Sequence, residues 1–403
     1  MGDSVTARLA SNFGTASFNG NVSFQELPGM MKAYFNRYFL TETSDSVNYS
    51  DKFFNAGLTF KDPSVLNDFM NLNITMPKEA KITADFRDDN FSVHAGIENL
   101  VYNDIEIEDL NLEAAGKDSS FKIDFKTQAL KNNVQTIHDL SLESNLKAGD
   151  LNTRIAFSNA SDKKWFNIGF TMEPGNPELN VVLEEPLLLN YQDWNVDKQN
   201  KTYIKNKNIV FDQVKLSSDE KLISLLSDAQ RPEKLVASFK NLSLALVSEL
   251  MKGDTSFITG KIDGDIMATN LFARPVPVFD VNFNISDIIV QEKILGNLNI
   301  DASNLENNDI AALNVDFGQK NMLFNLKGTY GLTKEIPMDL NLSAKDMDLA
   351  AIQPLIADVI SDASGFINAT LNLKGSFNNP ELRAISVLIK PQLLSKQFSR
   401  NLP

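Results

Sequence analysis

The chain has 403 residues, 43% hydrophobic and 22% charged, a composition that excludes a disordered chain. Acidic residues outnumber basic ones by 52 to 38 for a formal charge of −14, and no basic cluster offsets it, so nucleic acid and anionic membrane surfaces are not expected partners. Cysteine is absent, which removes disulfides, thiol nucleophiles and thiolate metal sites together.

No run approaches the roughly 18 apolar residues of a membrane-spanning helix. Met1 to Gly20 has neither the basic start nor the apolar stretch of a signal peptide, so the targeting segment of an exported protein is expected to lie outside this sequence. Helical spacing appears first at Pro28–Leu40 and again at Val65–Leu72. Period-two alternation then takes over. Ile82, Ala84 and Phe86 alternate with Thr83 and Asp85, Phe91 and Val93 follow, and Phe121, Ile123 and Phe125 alternate with Lys122 and Asp124. Phe166, Ile168 and Phe170 repeat the pattern, and the cluster Glu173 to Pro177 fits a tight turn. Ser218–Gln230 and Leu242–Met251 have helical spacing. Alternation resumes at Ile262, at Val281, Phe283 and Ile285, at Leu298 and Ile300, and at Leu313, Val315 and Phe317. Leu340 and Leu342 precede a last helical stretch at Leu349–Ile360, and Leu371 and Leu373 follow it.

Successive strand side chains point to opposite faces, so each segment has one apolar and one polar side. About 20 such strands with so few helices imply an all-β, antiparallel architecture. Two sheets face each other, or one sheet curls round its own apolar side.

Internal repeats bear on that choice. Phe60-Lys-Asp-Pro-Ser-Val65 matches Phe239-Lys-Asn-Leu-Ser-Leu244 and Ala344-Lys-Asp-Met-Asp-Leu349, each opening a short helix. Strand runs beginning at Ala80, Ser256 and Gly365 follow, and Leu110–Ala114 aligns with Leu298–Ala302. Repeats that cannot close a core alone stack on their neighbours. With no linker in evidence, residues 1–403 read as one continuous body with repeat units at roughly 53–180, 231–335 and 336–390.

Catalytic chemistry finds little support. His94 and His138 lie in strand-like segments without metal-ligand spacing, and no Gly-x-Ser-x-Gly elbow occurs. Gly253–Gly260 lacks the Gly-Lys-Ser/Thr ending of a phosphate loop, and Asp263-Gly-Asp265 is too short for a calcium loop. Glu184-Glu185 reads as solvated charge in a polar turn. Asn-x-Ser/Thr tripeptides at Asn73, Asn241, Asn284 and Asn341 read as polar-face filling rather than glycosylation sites. No catalytic residue, cofactor or metal is expected, and the protein is read as non-enzymatic.

What remains is the apolar side. Of the aromatic residues 27 are Phe, against seven Tyr and two Trp, and Phe has no polar tip to satisfy. Such a lining binds by area, at about 25 cal/mol per Å². The candidate lining is Ile82, Phe86, Phe91, Val93, Phe121, Ile123, Ile262, Phe283, Ile285, Leu298, Ile300, Val315, Phe317, Leu340, Leu342, Leu371 and Leu373. The same residues suit a closed sandwich core.

Gly365-Phe-Ile-Asn-Ala-Thr-Leu-Asn-Leu-Lys-Gly375, followed by Asn379-Pro380-Glu-Leu382, resembles the strand–turn signature of the TamB family and its AsmA-like relatives. Leu187–Asn190, Trp194, Ile204 and Ile209–Val214 resemble a further stretch of that family, as does Leu349 to Gly365. Arg383-Ala384 stand where the family has Gly, and Ile385 to Pro403 loses clean alternation, so the chain resembles an internal or truncated portion. The resemblance implies a repeat-built antiparallel sheet curled into an open hydrophobic groove, in the periplasm, attached to the inner membrane through an anchor not present in this sequence. It further implies transport of phospholipid between the two membranes, assistance to outer-membrane protein clients, or both, with an outer-membrane barrel of the TamA type as partner and phospholipid acyl chains in the groove. The alternative left open is a closed β-solenoid or sandwich with a structural or adhesin role.

Overall fold

The computed structural model describes residues 4–36, 38, 51–64, 67–68, 73–133, 135–147, 149–174, 179–205, 208–246, 258–271, 276–290, 293–305, 309–319, 322–349, 365–376 and 379–390. Strand accounts for 74% of residues and helix for 5%, so the all-β, antiparallel expectation holds. The chain divides into two compact units, 1–209 with 251–254, and 210–250 with 255–403.

In the first unit the strands are β1 (Val5–Ala10), β2 (Gly14–Gly20), β3 (Phe53–Phe60), β4 (Ile74–Thr75), β5 (Ala80–Arg87), β6 (Asn90–Tyr102), β7 (Ile105–Lys117), β8 (Ser120–Lys131), β9 (Thr136–Lys147), β10 (Asp150–Ser158), β11 (Lys164–Pro174), β12 (Leu179–Leu189), β13 (Gln192–Val196) and β14 (Lys201–Lys205). Helix α1 (Leu27–Asn36) lies between β2 and β3 in the chain. From β1 to β12 each strand pairs antiparallel with the next, except that β3 pairs with β5 while the short β4 adds to the far end of β6. Both β13 and β14 pair with β12. Strand β15 (Asn208–Asp212) runs over the boundary between the units.

The second unit contains β16 (Val214–Ser218), β17 (Lys221–Ser227), β18 (Lys234–Ser243), β19 (Ile258–Thr269), β20 (Val278–Val290), β21 (Lys293–Ser303), β22 (Ile310–Gln319), β23 (Met322–Gly331), β24 (Met338–Asp348), β25 (Phe366–Ser376) and β26 (Asn379–Lys390). Every one pairs antiparallel with its successor, so this sheet follows the chain strand by strand.

Turn chemistry explains the succession of hairpins. Arg87 pairs with Asn90 across Asp88-Asp89, and Leu189 with Gln192 across Asn190-Tyr191. All four loop residues have positive φ, the twist that lets a two-residue turn join right-twisted strands. Single Asp or Asn residues with positive φ occupy the tips at Asn103, Asp118 and Asp219.

The same residue types act inside strands. Asp139, Asn241, Asp287 and Asp346 have φ between 44° and 53° and sit at register shifts, where the strand carries one residue more than its neighbour. Asn241 N–H donates to Asp263 Oδ1 (2.9 Å), Asp287 N–H to Asn297 Oδ1 (3.2 Å) and Asp346 N–H to Asn368 Oδ1 (3.0 Å), so the neighbouring strand satisfies the amide that the ladder loses. Asp109 has φ 49° and interrupts pairing without a register shift. Bulges bend a strand and increase its twist, which curls these sheets.

Several expectations are corrected. Ser218–Gln230 is the hairpin of β16 and β17, not a helix: Leu222, Ile223, Leu225 and Leu226 satisfy helical spacing, but β16 and β18 flank the segment and supply a ladder on both sides. The first predicted helix, Pro28–Leu40, is observed as Leu27–Asn36, starting one residue earlier, and residues 37, 39 and 40 lie outside the described set. Most of Val65–Leu72, Leu242–Met251 and Leu349–Ile360 also lies outside it, although residues 64, 67, 68, 244–246 and 349 are helical. The described residues form 26 strands where about 20 were expected. The loss of clean alternation expected from Ile385 has a local cause, since β26 continues to Lys390 with Ile385 as an extra residue at a register shift. Asn241 is a bulge residue, not a polar-face filler. Glu184 and Glu185 lie in β12 rather than a turn: Glu184 accepts from Thr171, and Glu185 Oε1 accepts from Val196 N–H at 3.0 Å.

Candidate functional site

Strand registry assembles the apolar side chains of the second unit into rows perpendicular to the strands. One row runs Leu216, Ile223, Phe239, Gly264, Phe283, Ile300, Val315, Leu326, Leu342, Leu371 and Ala384, one residue from each of β16 to β26. On one side of it lies Leu242, Ile262, Ile285, Leu298, Phe317, Phe324, Ala344 and Ala369. On the other lies Ile266, Val281, Ala302, Leu313, Gly328, Leu340, Leu373 and Leu382. At about 4.8 Å per strand the eleven-strand row extends about 48 Å. All eleven candidate residues of this unit therefore fall on three adjacent rows. Ile262, Ile285 and Leu340 are buried and the other eight half-buried. Phe239, Phe324, Leu313 and Leu326 add to the lining. They were missed as site residues, although their alternation with polar neighbours is legible.

Gly264 interrupts the middle row. With φ +143° and a Cβ that would collide with the Asn282 carbonyl oxygen, it is a position where β20 lies too close to β19 for a side chain. The opposite face is polar: Asn282 Nδ2 donates to Asp301 Oδ1 (2.5 Å), Asn284 Nδ2 to Asn299 Oδ1 (2.6 Å) and Asn325 Nδ2 to Asp316 Oδ1 (2.7 Å). Asp339 on this face is held below the usual carboxylate range by hydrogen bonds from Lys374 and Asn372, and its Lys374 ion pair measures 2.8 Å.

The first unit has the same plan with a different cover. Its outer row is Gly20, Phe54, Phe86, Phe91, Gly116, Phe121, Leu146, Leu151 and Met172. The next row is Phe18, Ala56, Ala84, Val93, Ala114, Ile123, Ser144, Thr153 and Phe170. Helix α1 lies on this face, with Met30, Tyr34 and Tyr38 joining Phe18, Phe54, Phe86, Phe91, Phe121 and Leu146 in one buried cluster. Of the candidate residues, Phe86, Phe91 and Phe121 are buried in that cluster, Val93 and Ile123 pack partly buried against it, and Ile82 lies half-buried one row further on. Beyond the helix Ser144 Oγ and Thr153 Oγ1 satisfy each other at 2.9 Å, so two buried hydroxyls cross the apolar face without an unpaired group.

His94 Nδ1 lies 3.6 Å from Glu113, and His138 Nδ1 lies 3.8 Å from Asp162. Among the described residues no group of three or more potential ligands could hold a metal ion, and no helix is long and apolar enough to cross a membrane. Asp263 of the Asp-Gly-Asp motif receives the Asn241 amide, while residues 253–257 of the phosphate-loop-like stretch lie outside the described set. No family model, curated protein or solved structure matches the chain.

Proposed function

We propose that this protein is a bridge-like lipid carrier of the periplasm, moving phospholipid between inner and outer membranes along apolar sheet faces and working with an outer-membrane barrel of the TamA type. The observation that carries the reading is the set of three adjacent apolar rows in the second unit, aligned in register across consecutive strands. An acyl chain lying along such rows gains transfer energy from each methylene it buries, about 0.8 kcal/mol, and meets no directional partner to leave behind as it slides. Native mass spectrometry of the chain purified from membrane-containing extract should detect bound phospholipid, and Phe283→Glu or Leu371→Arg should remove it. Unchanged lipid content in a folded variant would eliminate the reading.

A second reading, assistance to outer-membrane protein assembly by strand addition, is favoured by β26. Each of its residues from Asn379 to Leu388 is exposed, with Leu382 at 65% and Ile385 at 66%. A strand paired on one side offers a row of backbone donors and acceptors to an incoming chain. Site-specific cross-linking from β26 to a barrel client tests it; cross-links confined to other surfaces count against it.

A further inference from the structure

Strands β2 and β3 are adjacent and antiparallel, a connection that two to five residues can make, yet the chain leaves at Gly20 and returns only at Phe53. The base of the excursion is clamped. Asn21 N–H donates to the Phe53 carbonyl (3.0 Å), Phe53 N–H donates to Asn21 Oδ1 (2.8 Å), and Asn21 Nδ2 donates to the Asp51 carbonyl (2.5 Å). The excursion places α1 on the apolar face. Ser23 and Glu26 start the helix as a reciprocal cap, with Ser23 N–H donating to Glu26 Oε2 (3.1 Å) and Glu26 N–H to Ser23 Oγ (3.3 Å).

The sheet beneath is hollowed to receive the helix. The second row carries Ala56, Ala84, Val93 and Ala114 there, where the middle row of the other unit carries Phe283, Ile300, Val315 and Leu326. In the outer row Gly116 stands between Phe91 and Phe121, and a Cβ on it would come within 2.5 Å of Tyr34 Oη and 2.8 Å of Tyr38 Oη. Tyr38 O–H donates to Tyr34 Oη (3.0 Å), and Tyr34 O–H to the Asp89 carbonyl at the β5–β6 turn (3.3 Å). Phe35 meets Phe91 and Phe121 edge-on, each with ring centroids 5.5 Å apart.

We propose that α1 is a plug hinged at Asn21, which closes this end of the first unit's apolar face and, when displaced, uncovers a hollow that takes an acyl chain. The occupant of the closed state is the chain's own aromatic helix. Ten residues are too few to hold a helix together in water, so α1 stays formed only while it is seated. An acyl chain can replace the apolar area that the helix covers, making the exchange one of like for like. The ligand class rests on the lipid-carrier reading; the closure itself does not.

The chain has no cysteine, so Ala114→Cys places a single thiol in the hollow. In the 403-residue chain that thiol should react slowly with a water-soluble maleimide, and at least tenfold faster when Gly116→Leu evicts the tyrosines. The control Gly96→Leu, at a glycine with only the His94 side chain within 4 Å, should leave the rate unchanged. If Gly116→Leu does not fold, the double variant Tyr34→Ala, Tyr38→Ala unseats the helix and leaves the sheet residues intact. A photoreactive C18 fatty acid should then cross-link to the β7–β8 peptide in the unplugged variants. It should fail to do so when α1 is tethered through Phe35→Cys and Phe121→Cys with a short bifunctional thiol reagent. Unchanged thiol reactivity in both unplugged variants, or equal cross-linking with the helix tethered, would overturn the plug. Faster thiol labelling without cross-linking in either unit would retain the plug and reject the lipid reading.

Discussion

Truncating Phe86 and truncating Phe283 should have unequal costs, because one ring is sealed beneath a helix and the other lies half-buried on a row. Phe86 has no exposed surface, stacks on Phe54 with centroids 5.7 Å apart and meets Tyr34 edge-on at 5.3 Å. Removing about 200 Å² of buried aromatic surface at 25 cal/mol per Å² gives about 5 kcal/mol as an upper bound. Allowing for residual burial in the unfolded chain and for the cavity left behind, about 4 kcal/mol is expected. Phe283 faces Gly264 and Ile300 across the ladder, and its nearest ring, Phe239, is 5.9 Å away. With no sealed cavity behind it, Phe283→Ala should cost about 2 kcal/mol. Both tryptophans, Trp165 and Trp194, belong to the first unit, so tryptophan emission during urea unfolding reads that unit alone. At a slope of about 2 kcal/mol per M, Phe86→Ala should lower the emission midpoint by about 2 M, while Phe283→Ala should lower a circular-dichroism transition by about 1 M. Equal losses for the two variants would refute the argument, since the Phe283 face would then be sealed as well.

Other perturbations probe the local rules. Asn241→Gly should leave the second unit's stability nearly unchanged, whereas Asn241→Val should cost about 1–2 kcal/mol by forcing a β-branched residue into the left-handed region, as circular-dichroism melts would measure. Gly264→Val should destabilise that unit by more than Asn241→Val, since its side chain meets the β20 backbone; limited proteolysis of the purified variant checks this. The Glu26 carboxyl is held below its ordinary value of 4.5, first by the Ser23 amide and then by the Ser23 hydroxyl. Its depressed value means that the cap contributes above pH 4.5 and is lost as pH falls through the lowered value, so the exchange protection factors of the α1 amides, taken relative to the slower intrinsic exchange at low pH, should fall on acidification in the parent but less so in Glu26→Gln.

Much of this architecture is legible before any coordinates. Period-two alternation identifies the strands around Phe121, Phe283, Leu313 and Leu371, because a half-buried antiparallel strand has no other way to satisfy both faces. The failure at Ser218–Gln230 is of one kind: Leu222, Ile223, Leu225 and Leu226 fit either period, and only the ladders from β16 and β18 decide between them. The repeat match at Phe239 and Ala344 was read as a helix opening, and helical residues do follow at 244 and 349. What that reading misses is the bulge just before the helix, at Asn241 and Asp346. A signal was present in the recurring order of Asp or Asn, then Leu or Met, a polar residue and Leu. It occurs at Asp109–Leu112, Asp139–Leu142, Asn241–Leu244 and Asp346–Leu349 with the first residue left-handed, and also at Asp339–Leu342, where Asp339 stays in regular pairing, so the order marks four bends out of five.

The plug site was invisible for a different reason. An apolar-or-polar reading gives Ala84, Val93 and Ala114 the same mark as Ile300, Val315 and Leu326, so a hollow and a ridge look alike. Registry is what places the three small residues side by side and sets Gly116 between two phenylalanines. Volume, not polarity, separates a face made to receive a helix from one filled by its own side chains, and volume becomes meaningful only once neighbouring strands are aligned. The 32-residue excursion between β2 and β3 was the one clue available earlier, for a hairpin has no need of it. Once the alignment is known, the excursion and the hollow account for each other: shortening the connection to a tight turn should leave Phe86, Phe91 and Phe121 exposed and the first unit prone to self-association, which sedimentation velocity would detect.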